Sequence, residues 1–523
     1  MKLKRILSCI ISVLLLSSFF ACSSPETPDG HSHTFSSSIS YDGQYHWYAS
    51  TCGCNEVDKK EEHSYSSDYI YDENYHWKTV TCGCGNVVGY KGNHTFVNNE
   101  CSVCGYSVLV TFDISLQGIG LNQPIQLTAE TQIDDSKIER IRYSSNNNNV
   151  SVTQNGLVTG QSVGESEITA TVTLKTGAKL TAKTKVIVND GKYSSLDMTE
   201  PFIKWCGRNF VYNDVVNCFN TASGFETTFY GSELKVDLLA DGDETPYLYA
   251  IIEGEDYEAT KTIQLGKSQT QVQSTTIVSG LARDYYTVKL YKATEALHTS
   301  LAYKGIYVDG FFYQKPAEKE LKIEVYGDSI TAGYKNLRET AEEGDNDHNQ
   351  NGCKTYAFLA AQALNADINV FAREGIGINF SWWVDFYMKD AWNKTYCAEV
   401  NHLGYGDYNP NWDLSKYIPD IVIINIGTND YWNPDVEVID QNLYKQQITT
   451  LCNNIISAYG SQVKIVLAYG MMITDNGSAL QSVSNTFNNV YCVRLDQASW
   501  GHPRVFEHEA ASQTLANFLQ AII

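Results

Sequence analysis

The segment 420–426 bears hardest on what this chain can fold into, because Ile421-Val422-Ile423-Ile424 is apolar without alternation and ends in Gly427-Thr428-Asn429-Asp430. A strand that is apolar on both faces has to be covered on both, which is the condition of a central strand in a parallel sheet. The surrounding sequence supplies the covering layers. Residues 321–326, 368–371, 463–467 and 490–493 read as further strands, while 355–366, 436–459 and 507–523 carry helical apolar spacing. Strands alternating with helices give an α/β doubly wound sheet over residues 320–523. In such sheets ligands sit beyond the carboxyl ends of the strands. The polar landmarks stand at those ends: Gly327-Asp328-Ser329-Ile330-Thr331, Gly375-Ile376-Gly377, Gly427-Thr428-Asn429-Asp430, and a late Gly501-His502-Pro503.

A serine hydroxyl is a weak nucleophile until a base takes its proton, and an imidazole is the usual base. Four blocks of this composition, in this order, resemble the SGNH hydrolase superfamily. Ile203-Lys204-Trp205-Cys206-Gly207-Arg208, in the β-rich segment before them, narrows the resemblance: residues 195–523 look like carbohydrate esterase family 2. The resemblance implies that Ser329 is the nucleophile and His502 the general base. It also implies an oxyanion hole of the Ser329 N–H, the Gly377 N–H and the Asn429 amide, with Gly375 as the alternative to Gly377. The implied activity is removal of acetyl groups from polysaccharides such as xylan or mannan through an acetyl-serine intermediate. No cofactor is required for that chemistry. One position departs from the superfamily: the aspartate common two or three residues before the histidine is replaced by Ser499 and Trp500. A Ser–His dyad held by a backbone carbonyl is the alternative, and Asp496 lies six residues upstream of His502. Trp500 and Trp432 are candidates for contact with a sugar ring. His508 reads as a structural residue of the last helix, and His348 as a solvated loop residue.

The segment 195–315 alternates in short β-branched and aromatic runs such as Tyr247-Leu248-Tyr249-Ala250-Ile251-Ile252, which predict a jelly-roll sandwich. Residues 108–190 carry shorter runs parted by Gly and Asn. Through Gly156-Leu157-Val158-Thr159-Gly160 and Gly164-Glu165-Ser166-Glu167-Ile168-Thr169-Ala170 they resemble the group 2 bacterial immunoglobulin-like domain, a family that serves mostly as a spacer or adhesion module.

Residues 31–106 repeat with a period of 30: His33 recurs as His63, His46 as His76, and Cys52 and Cys54 as Cys82 and Cys84. A shortened third unit offers His94, Cys101 and Cys104, with no fourth donor in the pattern. Units this small bury little and need a staple. Two cysteines with two histidines form the donor set of a structural zinc site. Disulfides are the alternative in an exported protein. A Cys-x-Cys pair bridges poorly within itself, however, and disulfides do not need histidines in step. Whether the first site takes His33 or His63 stays open.

The chain begins with Lys2, Lys4 and Arg5, an apolar run over 6–20, and Ala21-Cys22. This resembles a bacterial lipoprotein signal over 1–21 with lipidation of Cys22, residues 22–30 acting as a tether; an ordinary secretory signal is the alternative. Either reading predicts export, and the first a lipid-anchored protein of the cell surface or outer membrane. Lys+Arg of 38 against Asp+Glu of 60 leaves a net charge of −22, which argues against nucleic acid as a partner. The 35 Tyr and 9 Trp suit β-rich, sugar-contacting material.

Overall fold

The computed structural model describes residues 32–85, 87–340, 349–499 and 501–523. Cys22, His348 and Trp500 lie outside the described residues. The chain divides into two compact units, one of residues up to 110 with 131–140 and 172–181, the other of the remainder.

In the first unit the repeats form two three-stranded antiparallel sheets, Phe35–Tyr41/Tyr45–Ser50/Val57–Glu62 and Ile70–Tyr71/Tyr75–Thr79/Val88–Asn93, then a two-stranded ribbon of Phe96–Val97 and Glu100–Cys101. The tight turns recur with the sequence period. Asp42 Oδ1 accepts from the Gln44 and Tyr45 N–H groups, and Asp72 Oδ1 does the same for Asn74 and Tyr75. Among the described residues from 32 to 106 the only buried ones are His63, His76, Cys84, His94 and Cys101. This segment therefore has no hydrocarbon core of its own.

The second unit contains three layered assemblies. The immunoglobulin-like sandwich packs Ile119, Leu127, Val150, Val158, Ile168, Val186 and Val188 between its sheets. The predicted strand over 125–129 is broken into Pro124–Gln126 and Ala129–Thr131. Its strand Leu116–Ile119 meets Phe311–Gln314, and a Cβ on Gly118 would stand 2.0 Å from the Phe312 carbonyl oxygen, so only glycine fits. The jelly-roll stacks two antiparallel sheets. One runs Phe210–Tyr212, Val215–Asn217, Thr299–Val308, Leu234–Gly242, Ser268–Val278; the other runs Lys204–Cys206, Gly224–Gly231, Asp284–Lys292, Tyr247–Gly254, Glu258–Gln264. Phe202, Phe225, Phe229, Leu238, Leu248 and Phe312 fill the space between them.

The hydrolase sheet is all parallel, in the order Asp367–Ala372, Lys322–Gly327, Ile421–Asn425, Lys464–Tyr469, Val490–Arg494. Numbered along the chain this is order 2-1-3-4-5, whose switch point lies between the first and third strands. Gly327 pairs with both Ala372 and Asn425, so three strands end level and deliver their next residues to one rim. The long helix starts at Gln441 rather than at 436, because Asp440 Oδ1 caps it by accepting from the Asn442 and Leu443 N–H groups. The helix expected over 355–366 ends at Ala363, ahead of Asn365 at φ +50°. A helix at Gly477–Ser484 had no counterpart in the sequence reading. No helix among the described residues is long and apolar enough to cross a membrane.

Buried charge joins jelly-roll to sheet. Arg208 is 1% exposed and donates to Glu324 Oε1 through Nη2 (2.8 Å) and Nε (3.1 Å), to the Tyr326 hydroxyl (2.6 Å), and to the Trp392 and Lys394 carbonyls (2.8 and 2.6 Å). Lys204 Nζ reaches Asp367 Oδ1 at 2.5 Å. Removing one partner of such a pair leaves the other charge buried and uncompensated, which costs about 3–5 kcal/mol. Arg208→Met is expected to destabilise this unit by about that amount, read as a lower denaturant midpoint; an unchanged midpoint would show that the pair is dispensable.

Candidate active site and cysteine–histidine clusters

Ser329 opens a single helical turn, Ser329–Ala332, directly after the first sheet strand. Asp328 caps that turn through the Ile330 N–H at 3.1 Å, and Gly333 closes it at φ +86°. The turn holds the serine at 5% exposure. His502 comes from the loop before the helix Val505–Ile522, and its Nε2 lies 2.8 Å from Ser329 Oγ. The two residues, 173 apart in sequence, are thus in direct hydrogen-bond contact. Tyr334 packs edge-on against the imidazole, and the His502 carbonyl accepts from Arg338 Nη2 at 2.9 Å.

No aspartate stands in the loop position next to this histidine. Asp496 Oδ2 accepts from Thr514 Oγ1 at 2.7 Å and is committed to the last helix. The acid that shapes the loop is Glu507, which sequence reasoning passed over. Its carboxylate accepts from the Ser499 N–H (2.7 Å), the Ser499 hydroxyl (2.5 Å) and the Arg504 N–H (2.9 Å). Burial opposes its charge, but these hydrogen bonds and the Arg504 guanidinium outweigh burial and lower its pKa. The sequence signal was the position of Glu507 three residues after Arg504, the spacing of a capping box.

Asn429 lies in the turn Thr428–Tyr431 after the third sheet strand. Its Nδ2 donates to the Ile376 carbonyl at 2.8 Å, and its Oδ1 accepts from Trp382 Nε1 at 3.1 Å. The two bonds agree on one orientation of the amide. Beside it, Asp430 accepts from the N–H groups of Ile378 (2.8 Å), Asn379 (2.7 Å) and Phe380 (3.2 Å) and so folds the Gly375–Phe380 loop around itself. A Cβ on Gly377 would come within 2.4 Å of Asp430 Oδ2. The Gly377 N–H donates to Ser381 Oγ at 3.3 Å. Gly375 sits at φ +69°, facing Trp382 and Trp383. Burial pushes Asp328 up to about 7 and Asp430 up to about 6. Of the aromatics near these blocks, Trp383 and Trp432 are exposed, at 68% and 49%, whereas Trp392 and Tyr431 pack against the hydrolase core.

In the repeats the structure groups every candidate donor and shares them between units: His46, His63, Cys82 and Cys84; His76, His94, Cys101 and Cys104; and His33, Cys52 and Cys54. The third unit, which lacked a fourth donor in the sequence pattern, takes His76 from the second. His63 goes to the second cluster, His33 to the first, and it is the first that has three donors among the described residues. Sγ–Sγ distances of 3.0 Å for Cys52–Cys54 and 2.9 Å for Cys82–Cys84 are well beyond a disulfide bond of about 2.05 Å. His63 Nε2 donates to the Asp42 carbonyl (2.9 Å) and His94 Nε2 to the Asp72 carbonyl (2.8 Å). This leaves each Nδ1 facing a thiol, Cys82 at 3.3 Å and Cys104 at 3.5 Å. A carbonyl that fixes the tautomer behind a ligating imidazole is the outer partner a metal site needs. The donor set therefore fits zinc.

His508 accepts the Tyr356 N–H at Nδ1 (3.1 Å) and is fully buried, and burial lowers its pKa to about 3. The fold thus holds it neutral, while the unfolded chain protonates it below about 6.5. Its contribution is complete above that pH and lost as pH falls toward 3. His508→Asn keeps an acceptor for Tyr356 without the titration. The wild type is expected to lose stability relative to this variant by about 1 kcal/mol per pH unit below pH 6. Parallel denaturation curves at pH 7 and pH 5 check this.

Residues 205–316 match the carbohydrate esterase 2 N-terminal family, 323–498 the GDSL-like lipase/acylhydrolase family, and 122–184 the group 2 bacterial Ig-like domain. The chain is 32% identical over 240 residues to the cellulase/esterase CelE of Acetivibrio thermocellus, a match that spans 45% of this chain but only 27% of that protein. It is 26% identical over 343 residues to an acetylxylan esterase/glucomannan deacetylase of Cellvibrio japonicus, covering 62% of this chain and 90% of the relative. A family two carbohydrate esterase from Clostridium thermocellum, solved with cellohexaose, superposes with a TM-score of 0.54 at 25% identity, over 61% of this chain and 98% of that one. By these matches the chain carries, in order, a segment like the group 2 bacterial Ig-like domain, one like the carbohydrate esterase 2 N-terminal domain and one like the GDSL-like hydrolases, an order of parts similar to that of the family two carbohydrate esterases.

Proposed function

We propose that this protein hydrolyses acetyl esters on a polysaccharide such as xylan or mannan. The observation that carries the reading is the 2.8 Å contact between His502 Nε2 and Ser329 Oγ on the rim that also presents Asn429. Ser329 Oγ attacks the ester carbonyl while His502 Nε2 takes its proton. The carbonyl π electrons move to oxygen, and the oxyanion is met by the Ser329 N–H, the Asn429 amide and the Gly377 N–H, the last displacing its bond to Ser381. Collapse breaks the bond to the sugar oxygen, which leaves as an alcohol with the proton from His502. Water, deprotonated by the same imidazole, then releases acetate from the acetyl-serine. Trp383 and Trp432, exposed near the rim, offer flat apolar faces to sugar rings. The names of the similar proteins support the acetyl-polysaccharide substrate class.

Acetate release from acetylated xylan and mannan, with hydrolysis of aryl acetate and aryl octanoate beside it, tests the proposal. Ser329→Ala is expected to abolish acetate release, and Asn429→Ala to lower kcat by about 100–1,000-fold. Preference for octanoate would make the protein a longer-chain acylhydrolase, and absence of turnover in the wild type would make it a binding module.

The repeats we read as a structural zinc array. With ligands as their only buried residues among those described, they draw their folding energy from the metal. Elemental analysis is expected to find two tightly held Zn²⁺ per chain, at the two four-donor clusters, and a third held more weakly. Cys84→Ser should remove one of the tight ions, and chelation should melt the circular dichroism of the repeats while aryl acetate hydrolysis persists. A metal-free protein with quantitatively oxidised cysteines would overturn this reading.

A further inference from the structure

A second ionic cluster, away from Ser329, joins the jelly-roll to the stem of the loop that carries Gly375 and Gly377. His298 Nε2 lies 2.9 Å from Glu374 Oε1, 3.8 Å from Glu295 Oε1 and 3.9 Å from Glu244 Oε1. Its Nδ1 faces Asp243 Oδ1 at 3.2 Å. Donor atoms of Glu295, His298 and Glu374 all fall within 4.8 Å of one another. Glu295 is fully buried; its Oε2 accepts the Glu374 N–H, but its Oε1, directed at the imidazole, has no hydrogen-bond partner. The flanking cations are turned elsewhere. Lys292 Nζ donates to the Thr294 and Glu295 carbonyls, and Arg373 Nη2 lies 3.6 Å from Glu399. Four carboxylates therefore converge on a single imidazole, and one buried oxygen among them accepts no hydrogen bond.

A buried carboxylate oxygen without a donor is costly unless something positive sits against it. We propose that Glu295, His298 and Glu374 ligate one divalent cation of the Mn²⁺ or Zn²⁺ kind, with Glu244 as a further ligand and Asp243 holding the imidazole. Ligands about 2.1 Å from a tetrahedral ion stand about 3.4 Å apart, and the 2.9 and 3.8 Å spacings bracket that value. A carboxylate on the second imidazole nitrogen is the usual outer partner of a ligating histidine. Glu374 directly precedes Gly375, so the ion fastens the glycine loop to the jelly-roll without touching the reacting atoms.

Mn²⁺ is the probe, because a donor set of carboxylates and imidazole accepts it, whereas the thiolate clusters select softer ions. The full chain is dialysed against chelator, titrated with Mn²⁺ and read by electron paramagnetic resonance. The expected result is one Mn²⁺ per chain, lost in Glu295→Gln, weakened about tenfold in Glu244→Gln and retained in Cys84→Ser. A chain that binds no Mn²⁺ overturns the proposal, as does an Mn²⁺ affinity that Glu244→Gln leaves unchanged. Glu244 lies at the edge of the cluster, so its variant decides the matter even if Glu295→Gln does not fold.

Discussion

The buried contact of Arg208 with Glu324 fixes how the hydrolase sheet stands against the jelly-roll, and the placement of the site follows from it. A guanidinium out of water is tolerable only when its donors are met in their fixed planar geometry. Here the partners are one carboxylate, one phenol and two backbone carbonyls, all on the hydrolase side. Burial works against the Arg208 charge, but the Glu324 carboxylate, together with the Tyr326 and Tyr459 hydroxyls, outweighs it and raises its pKa. Lys204, four residues earlier, addresses Asp367 on the neighbouring strand. One short segment of the jelly-roll thus registers the two strands that lead to Ser329 and to the glycine loop. A shift of either strand would break a bond that has no solvent to replace it.

From that frame the site is assembled with neutral donors. The Asn429 amide has its orientation set by Ile376 and Trp382. Such preorganisation is what makes a fixed donor worth more than water. The acids beneath it serve as supports. Asp430 spends its oxygens on three backbone N–H groups of the glycine loop, and Asp328 caps the turn that carries the serine. Burial raises the pKa of both toward neutrality, which reduces the negative charge behind the proposed oxyanion site. In the proposed reaction, ionising both fully would oppose the charge that develops on the ester oxygen.

The sequence made the parallel sheet legible because a strand apolar on both faces has few other homes, and it made the rim legible because polar blocks end those strands. Ser329, His502 and Asn429 could be named from those blocks. What it did not disclose are relations across long stretches of chain. Arg208 was visible as part of a motif, but its partner lies 116 residues on, and nothing local in Glu324 marks it. Glu507 looked like an ordinary residue at a helix start, yet it holds the loop that presents His502. Nothing local in Trp382 marks its role, yet its indole N–H helps to set the Asn429 amide. Helix ends moved for local reasons, such as the Asp440 cap, that periodicity does not weigh.

In the repeats the sequence period was plain, but the unit of repetition was not the unit of ligation. A 30-residue period invites one site per repeat, whereas each four-donor cluster combines the Tyr-His-Trp histidine of one unit with the His and Cys pair of the next. The physical reason is reach. His46 and His76 sit on strands whose turn carbonyls, Asp42 and Asp72, already bond the following unit's histidine, so the two imidazoles of each pair lie with centroids 5.6 Å apart, stacked in His46–His63 and tilted in His76–His94. The clusters therefore fasten adjacent units to each other, and no unit can complete its site alone. The same rule applied to the first cluster places its missing donor 30 residues before His46, where the chain has Leu16. Leucine offers no ligand, and the first cluster has three protein donors, His33, Cys52 and Cys54, among the described residues.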